Sequence, residues 1–205
     1  GTGVANKTIG HGLGTTPGMI IVKNRSITEE WRVWQQKLGG PTYKLALNST
    51  GAADQGSSVF NGQSATTFTV GTDPSVNGNG NSIIAYCFND VQGFSKMGSY
   101  TGNGNADGTF IYTGFKPAFL LVKRSSQANN DWNLHDNKSP GFNVNNSYLA
   151  PNSAAAEVTG NTSQIFDLLS NGFKCRGAGT GSNASGSTYI YMAFAENPFT
   201  SSAGT

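Results

Sequence analysis

The sequence holds few side chains able to make or break bonds, and their spacing narrows the options further. Its two histidines, His11 and His135, and two cysteines, Cys87 and Cys175, stand at no metal-ligand spacing, so no zinc site is expected. Four glutamates and seven aspartates are present. Hydrolysis of a glycosidic bond needs two carboxyl groups converging on it. The adjacent pair Glu29-Glu30 falls in an expected loop and would diverge. "NDWNLHD" brings Asp131, His135 and Asp136 together along the chain, but no serine lies in a nucleophile-elbow context. The glycine-rich runs "NGNGN" (77–81) and "GNGNAD" (102–107) lack the lysine and helix of a phosphate loop. They read as turns, with Gly and Asn supplying positive φ. Asp73, Asn77, Asn79 and Asn81 match no EF-hand spacing and carry too few carboxylates for calcium. The residues therefore point to a non-enzyme with no cofactor and no metal.

The elements that position these residues are written twice. "PGMIIVK" (17–23) returns as "PAFLLVK" (117–123). The match extends in order through Trp31 and Trp132, "LALN" (45–48) and "LAPN" (149–152), Phe68 and Phe173, and "GNSIIAYCF" (80–88) with "GSTYIYMAF" (186–194). The offset grows from 100 to 106 only in Gly/Asn/Ser-rich stretches, as small loop insertions between retained strands would make it. This predicts two modules, 1–100 and 101–205, closely packed and able to count as one composite domain. "GFSKMGSYT" (93–101) has no counterpart ahead of Gly1. Either the first copy lacks a leading strand or further polypeptide precedes this piece, and the second alternative is favoured.

Short β-branched and aromatic runs, punctuated by Gly, Asn, Ser or Pro, predict an all-β chain. The continuous runs "MIIV" and "FLLV" predict central strands covered on both faces. The alternating "TFTV" and "TFIY" predict strands with one wet face. The only helical candidate is "SQIFDLLSNG" (163–172).

The duplication also acts as an internal control. Cys87 falls opposite Ala193 and Cys175 opposite Val70, so both cysteines read as buried free thiols behaving as small hydrophobes. The matched Trp31 and Trp132 read as core anchors. Trp34 and His135, equivalent but different, lie three residues further along, on the opposite strand face. With the anchors inward they would face outward, a divergent binding surface. Trp34 and His135, with Asp136 and Asn130, are accordingly the candidate glycan-binding residues, the rings stacking on sugar faces and the polar groups bonding hydroxyls.

Composition bounds the partners. Only 12% of residues are charged and the formal net charge is +2, which gives no electrostatic footprint for nucleic acid or an acidic membrane. A hydrophobic content of 36% argues against disorder, and no apolar run is long enough for a membrane helix. "GTGVANKTIG" has no charged n-region or apolar h-region, so it is no signal peptide, and the chain reads as a mature or excised piece.

The combination of "NSIIAYCFNDVQGFSKMGSYTGNG", "GTFIYTGFKPAFLLVKR" and "TYIYMAFAENPF" resembles a repeated domain of unknown function. That domain occurs in tail-fibre-like and other structural proteins of marine and cyanobacterial bacteriophages. The resemblance covers about Gly10 to Phe199. It implies an antiparallel β-sandwich of the concanavalin-like or jelly-roll type, located on the virion and assembled in the host cytoplasm. Implied partners are other virion proteins, a host-surface glycan and further copies of the chain in a homo-oligomer. Three roles follow: a receptor-binding module, a structural virion protein without ligand, and, least favoured, a polysaccharide-degrading enzyme.

Overall fold

A computed structural model describes residues 1–199; the end of the expected second module, residues 200–205, lies outside the described residues. The chain is all-β with antiparallel strand pairing and almost no helix. It forms two compact units, Gly1–Asn89 and Asp90–Thr205.

In unit 1 the strands are β1 (Lys7–Gly10), β2 (Met19–Asn24), β3 (Arg32–Gln35), β4 (Tyr43–Ala46), β5 (Asp54–Gln55), β6 (Phe60–Gln63), β7 (Thr67–Val70) and β8 (Ile83–Phe88). They build two sheets, ordered β1-β7-β6 and β5-β4-β3-β2-β8. Ile20, Val22 and Trp34 of the larger sheet meet Phe60, Phe68 and Val70 of the smaller in one buried cluster. The pattern of "TFTV" explains the geometry: Phe68 and Val70 point inward while Thr67 and Thr69 stay partly wet. The run "MIIV" becomes the buried strand β2 between β3 and β8. A short helix, α1 (Pro74–Asn77), begins where the Asp73 carboxylate accepts the Ser75 N–H at 2.9 Å and proline takes the first helical position.

Unit 2 comprises β9 (Ser95–Thr101), β10 (Phe110–Tyr112), β11 (Pro117–Arg124), β12 (Trp132–Asp136), β13 (Phe166–Leu169), β14 (Gly172–Cys175) and β15 (Thr188–Ala195). Its sheets run β10-β14-β13 and β12-β11-β15-β9. Leu120, Val122, Tyr189 and Tyr191 of the larger sheet join Ile111, Phe166, Leu168 and Phe173 of the smaller in the core.

Two expectations are corrected. The segment 163–172 is no helix: Phe166 and Leu168 alternate inward at period two, and β13 turns tightly into β14 with Leu169 opposite Gly172. Gly172 lies against the Ile111 carbonyl, where any side chain would collide. The division between units falls at Asn89/Asp90 rather than 100/101, because Ser95–Thr101 pairs along β15 from Ser95↔Phe194 to Thr101↔Thr188.

Candidate functional site

The four nominated residues do not form a surface. Trp34 and His135 were expected to face outward, and both are buried, at 5% and 0% exposure. Trp34 Nε1 donates to the Gly40 carbonyl at 3.0 Å. His135 packs against Tyr148 and edge-on to Phe166, with Nδ1 3.0 Å from Asn145 Oδ1. Its Nε2 faces inward with no hydrogen bond of ordinary geometry. Burial pushes the His135 pKa down to about 4, so the ring is neutral at physiological pH. Strand parity does put Trp34 opposite Trp31, but the face carrying Trp34 is the one that meets the second sheet.

Asn130 is buried, its Nδ2 bonded to the Ala128 carbonyl and its own carbonyl accepting Lys123 Nζ. Asp136 holds a turn, accepting the N–H groups of Lys138 (2.6 Å) and Ser139 (2.8 Å) and the Ser139 hydroxyl (3.0 Å). Partial burial would raise its pKa, but these bonds outweigh burial and hold the carboxyl below its usual value. Asn130 precedes β12 and Asp136 is its last residue, so the two stand at opposite ends of the strand and do not converge on one sugar ring.

The structure instead leaves Trp31 and Tyr86 open in unit 1, at positions whose counterparts in unit 2 are buried. Lys23, Arg25, Thr28, Trp31, Ile84 and Tyr86 line a cleft of about 620 Å³. Ile84 and Tyr86 project from one face of β8, in register with Lys23 and Ile21 of β2. Trp31 enters β3 on the same side, its backbone N–H held by Asn48 Oδ1 at 3.0 Å. Lys23 Nζ donates to the Glu29 carbonyl at 2.5 Å and lies 5.9 Å from the Trp31 ring centroid. Tyr86 is 44% exposed and Trp31 is partly exposed, whereas the aligned Met192 and Trp132 are buried at 5% and 1%. Trp132 is thus buried, though on the sheet face opposite the one that meets the second sheet, and Trp31 is not. Arg25, Ser26 and Thr28 supply an exposed polar rim.

Sequence reasoning named Asn77 and matched Asn48 with Asn152, but did not see the part that asparagines play in shaping these units. Asn77 Nδ2 donates to the carbonyls of Val4 and Gly71, both at 2.8 Å, while its Oδ1 accepts the Thr2 N–H at 2.9 Å. Asn183 does the same at the aligned place, donating to Asn105 (2.8 Å) and Gly177 (2.9 Å) and accepting from Asn103 (3.0 Å). Asn152 accepts the Trp132 N–H at 2.8 Å as Asn48 does for Trp31. The signal was an asparagine at matching positions of both copies, hidden among many asparagines.

Both cysteines are free; Cys175 is buried, as expected, but Cys87 is only partly covered. Burial raises both thiols, Cys175 to about 12. Among the described residues no cluster of His, Cys, Asp or Glu has the makings of a metal site. Asp73 and Asn77 are committed to the helix cap and the amide clasp.

No curated protein and no solved structure matches the chain. A family model for a domain of unknown function, DUF7483, matches residues 1–198, spanning both units. The chain belongs to the DUF7483 family of domains of unknown function.

Proposed function

We propose that this chain is a non-catalytic module of a virion surface that recognises a host-surface glycan through the Trp31–Tyr86 cleft. Its two units are copies of one β-sandwich of the concanavalin-like or jelly-roll type. The sandwich reading is supported by pairs of antiparallel sheets meeting in one core per unit. The duplication is supported by matching strand orders and by the two asparagine clasps. The virion location rests on the sequence resemblance, and with it the partnership with other virion proteins and a homo-oligomeric state.

The observation that carries sugar recognition is the exposed pair Trp31 and Tyr86, beside Ile84 and a hydroxyl and guanidinium rim, at positions the other unit buries. Aromatic faces with an adjacent polar rim suit the apolar face and hydroxyl edge of a pyranose. Glycan-array and whole-cell binding with Trp31→Ala and Tyr86→Ala test it. Each loses roughly 2- to 10-fold in affinity, from about 0.5–1.5 kcal/mol per ring contact, with the fold intact. Trp34→Ala is the wrong probe, since it empties the core.

A structural virion module without ligand is the second reading, favoured by the amides. Asn24, Asn77, Asn145 and Asn183 all spend their side chains on internal bonds, so much of the polar composition serves the fold. Wild-type protein that binds neither array nor cells establishes that reading.

A further inference from the structure

The Trp31–Tyr86 cleft carries a charge that the chain as a whole does not show. Lys23 and Arg25 line its volume of about 620 Å³, and among the described residues no Asp or Glu does. The whole chain sets 13 Lys and Arg against 11 Asp and Glu, so a cleft lined by two cations and no carboxylate concentrates positive charge locally. Arg32 is already taken: its guanidinium pairs with Glu30 at 2.5 Å and lies 3.7 Å from Asp73. Arg25 is exposed, and its side chain makes no hydrogen bond or ion pair among the described residues.

The turn that carries Arg25 is fixed in advance. Asn24 Oδ1 accepts the N–H groups of Ser26 (2.9 Å) and Ile27 (3.3 Å), and Asn24 Nδ2 donates to the Pro74 carbonyl at 2.7 Å. The Arg25 N–H donates to the Ser82 carbonyl at 2.8 Å, and Ser26 Oγ accepts the Ser82 N–H at 2.9 Å. Unit 2 repeats these last two bonds at the aligned positions. There the Ser125 N–H donates to the Thr188 carbonyl at 2.9 Å, and Ser126 Oγ accepts the Thr188 N–H at 3.1 Å. The lysine is repeated too, Lys123 donating to the Asn130 carbonyl as Lys23 does to that of Glu29. The guanidinium is not. Ser125 stands in its place, 7% exposed, with its hydroxyl on the Thr188 carbonyl at 3.2 Å. The turn therefore forms without arginine, and the fold makes no use of the Arg25 side chain.

The ladder sets these residues in a row. Tyr86 is level with Ile21 and Ile84 with Lys23, and Arg25 follows the last ladder pair, Asn24↔Ile83. Arg25 thus stands at one end of the row and Tyr86 at the other. A guanidinium presents a planar fork of donors that matches two oxygens of one anion, and such charged bonds are roughly twice as strong as neutral ones.

We propose that the cleft selects anionic saccharides: the acid group of one sugar, a carboxylate or a sulfate ester, seats on the Arg25 guanidinium while a neighbouring ring lies on Trp31 and Tyr86. The inference rests on the sugar-recognition reading and adds the class of sugar. Lys23, tied to Glu29 and set 5.9 Å from the Trp31 ring centroid, adds positive charge beside the ring without having to move. The volume falls in the range that encloses a drug-sized ligand, enough for a short oligosaccharide.

The test is an array on which uronic acid oligosaccharides are printed beside their carboxyl-reduced forms, and sulfated ones beside their desulfated forms. Wild-type chain binds the charged member of a pair roughly tenfold or more tightly than its neutral partner, and which set of pairs responds tells carboxylate from sulfate. Arg25→Gln removes that preference, leaves binding of the neutral partner within about twofold, and unfolds at the wild-type temperature. Trp31→Ala weakens both members alike, because a ring face does not read the acid group. Raising the salt weakens the charged member in wild type and much less in Arg25→Gln. Neutral partners that bind as tightly as charged ones overturn the proposal, as does Arg25→Gln weakening both equally; in either case sugar recognition itself stands. A chain that binds no glycan overturns both. Single-stranded DNA that outcompetes every charged glycan, and does so through Arg25, also overturns the proposal by making a phosphodiester the anion.

Discussion

Unit 1 and unit 2 share the same strand order around β2 and β11, yet they differ in what lies beyond the next strand. Unit 2 extends its larger sheet from β15 to β9 and buries the middle of β15; unit 1 stops at β8 and leaves Tyr86 and Cys87 partly open. The same difference appears around the first tryptophan. Trp132 is sealed, while Trp31 borders a cleft. The same strand order thus gives one unit in which these positions are covered and one in which they are open.

The largest expected effect that would break this contrast is at the tryptophans. Trp132→Ala removes a side chain that is 1% exposed and costs roughly 3–5 kcal/mol. Trp31→Ala, at a partly exposed position, costs about 1 kcal/mol. Urea denaturation of both variants measures the gap, and equal losses would mean that the cleft is closed in solution.

Acid comes next. The unfolded chain protonates His135 near pH 6.5, whereas the folded ring resists protonation until about pH 4. The unfolded state therefore binds the extra proton between these values. Stability held in full above pH 6.5 is lost as pH falls to about 4, by about 3 kcal/mol in total. Unit 1 has the non-titrating Trp34 at that position, so unit 2 is the acid-sensitive one. Denaturation followed separately in the two units at pH 7 and pH 4.5 reads the difference, and an NMR titration midpoint for His135 near 6.5 would contradict it.

The two asparagine clasps sharpen the likeness between the units. Asn77→Ala and Asn183→Ala each leave buried carbonyls unsatisfied and cost roughly 1–3 kcal/mol, equal within error, by thermal unfolding. The smallest effect is chemical. With its thiol raised to about 12 and buried, Cys175 is alkylated only on unfolding, while Cys87 reacts slowly in the folded chain. Mass spectrometry after a timed iodoacetamide pulse separates the two.

How much of this was legible depended on how local the cause was. "TFTV" and "TFIY" gave strands with one wet face because a period of two needs no knowledge of partners. "FDLL" was misread because four residues before a turn satisfy either period until β14 is known to pair with them. Parity set Trp31 and Trp34 on opposite faces but carried no sign, since the second sheet, built from residues such as Phe60 and Phe68, decides which face is inside. β9 was assigned to the wrong unit because its partner, β15, lies some 90 residues downstream. The Asn77 and Asn183 clasps join side chain to backbone across about 75–80 residues, and no local pattern encodes such a bond. The cleft was illegible for the same reason: exposure of Tyr86 follows from the place of β8 at the edge of its sheet, and composition cannot report a strand's neighbours.

The clasps bear on mechanics. Asn77 and Asn183 grip Thr2–Val4 and Asn103–Asn105, the segments through which the backbone passes into each unit ahead of β1 and β10. A pull on either segment therefore loads a set of side-chain bonds before it reaches a sheet. That load passes into the 73–81 and 179–187 turns, so the first and last parts of each unit share tension as a stapled seam does, and the strands behind it are the last to feel it.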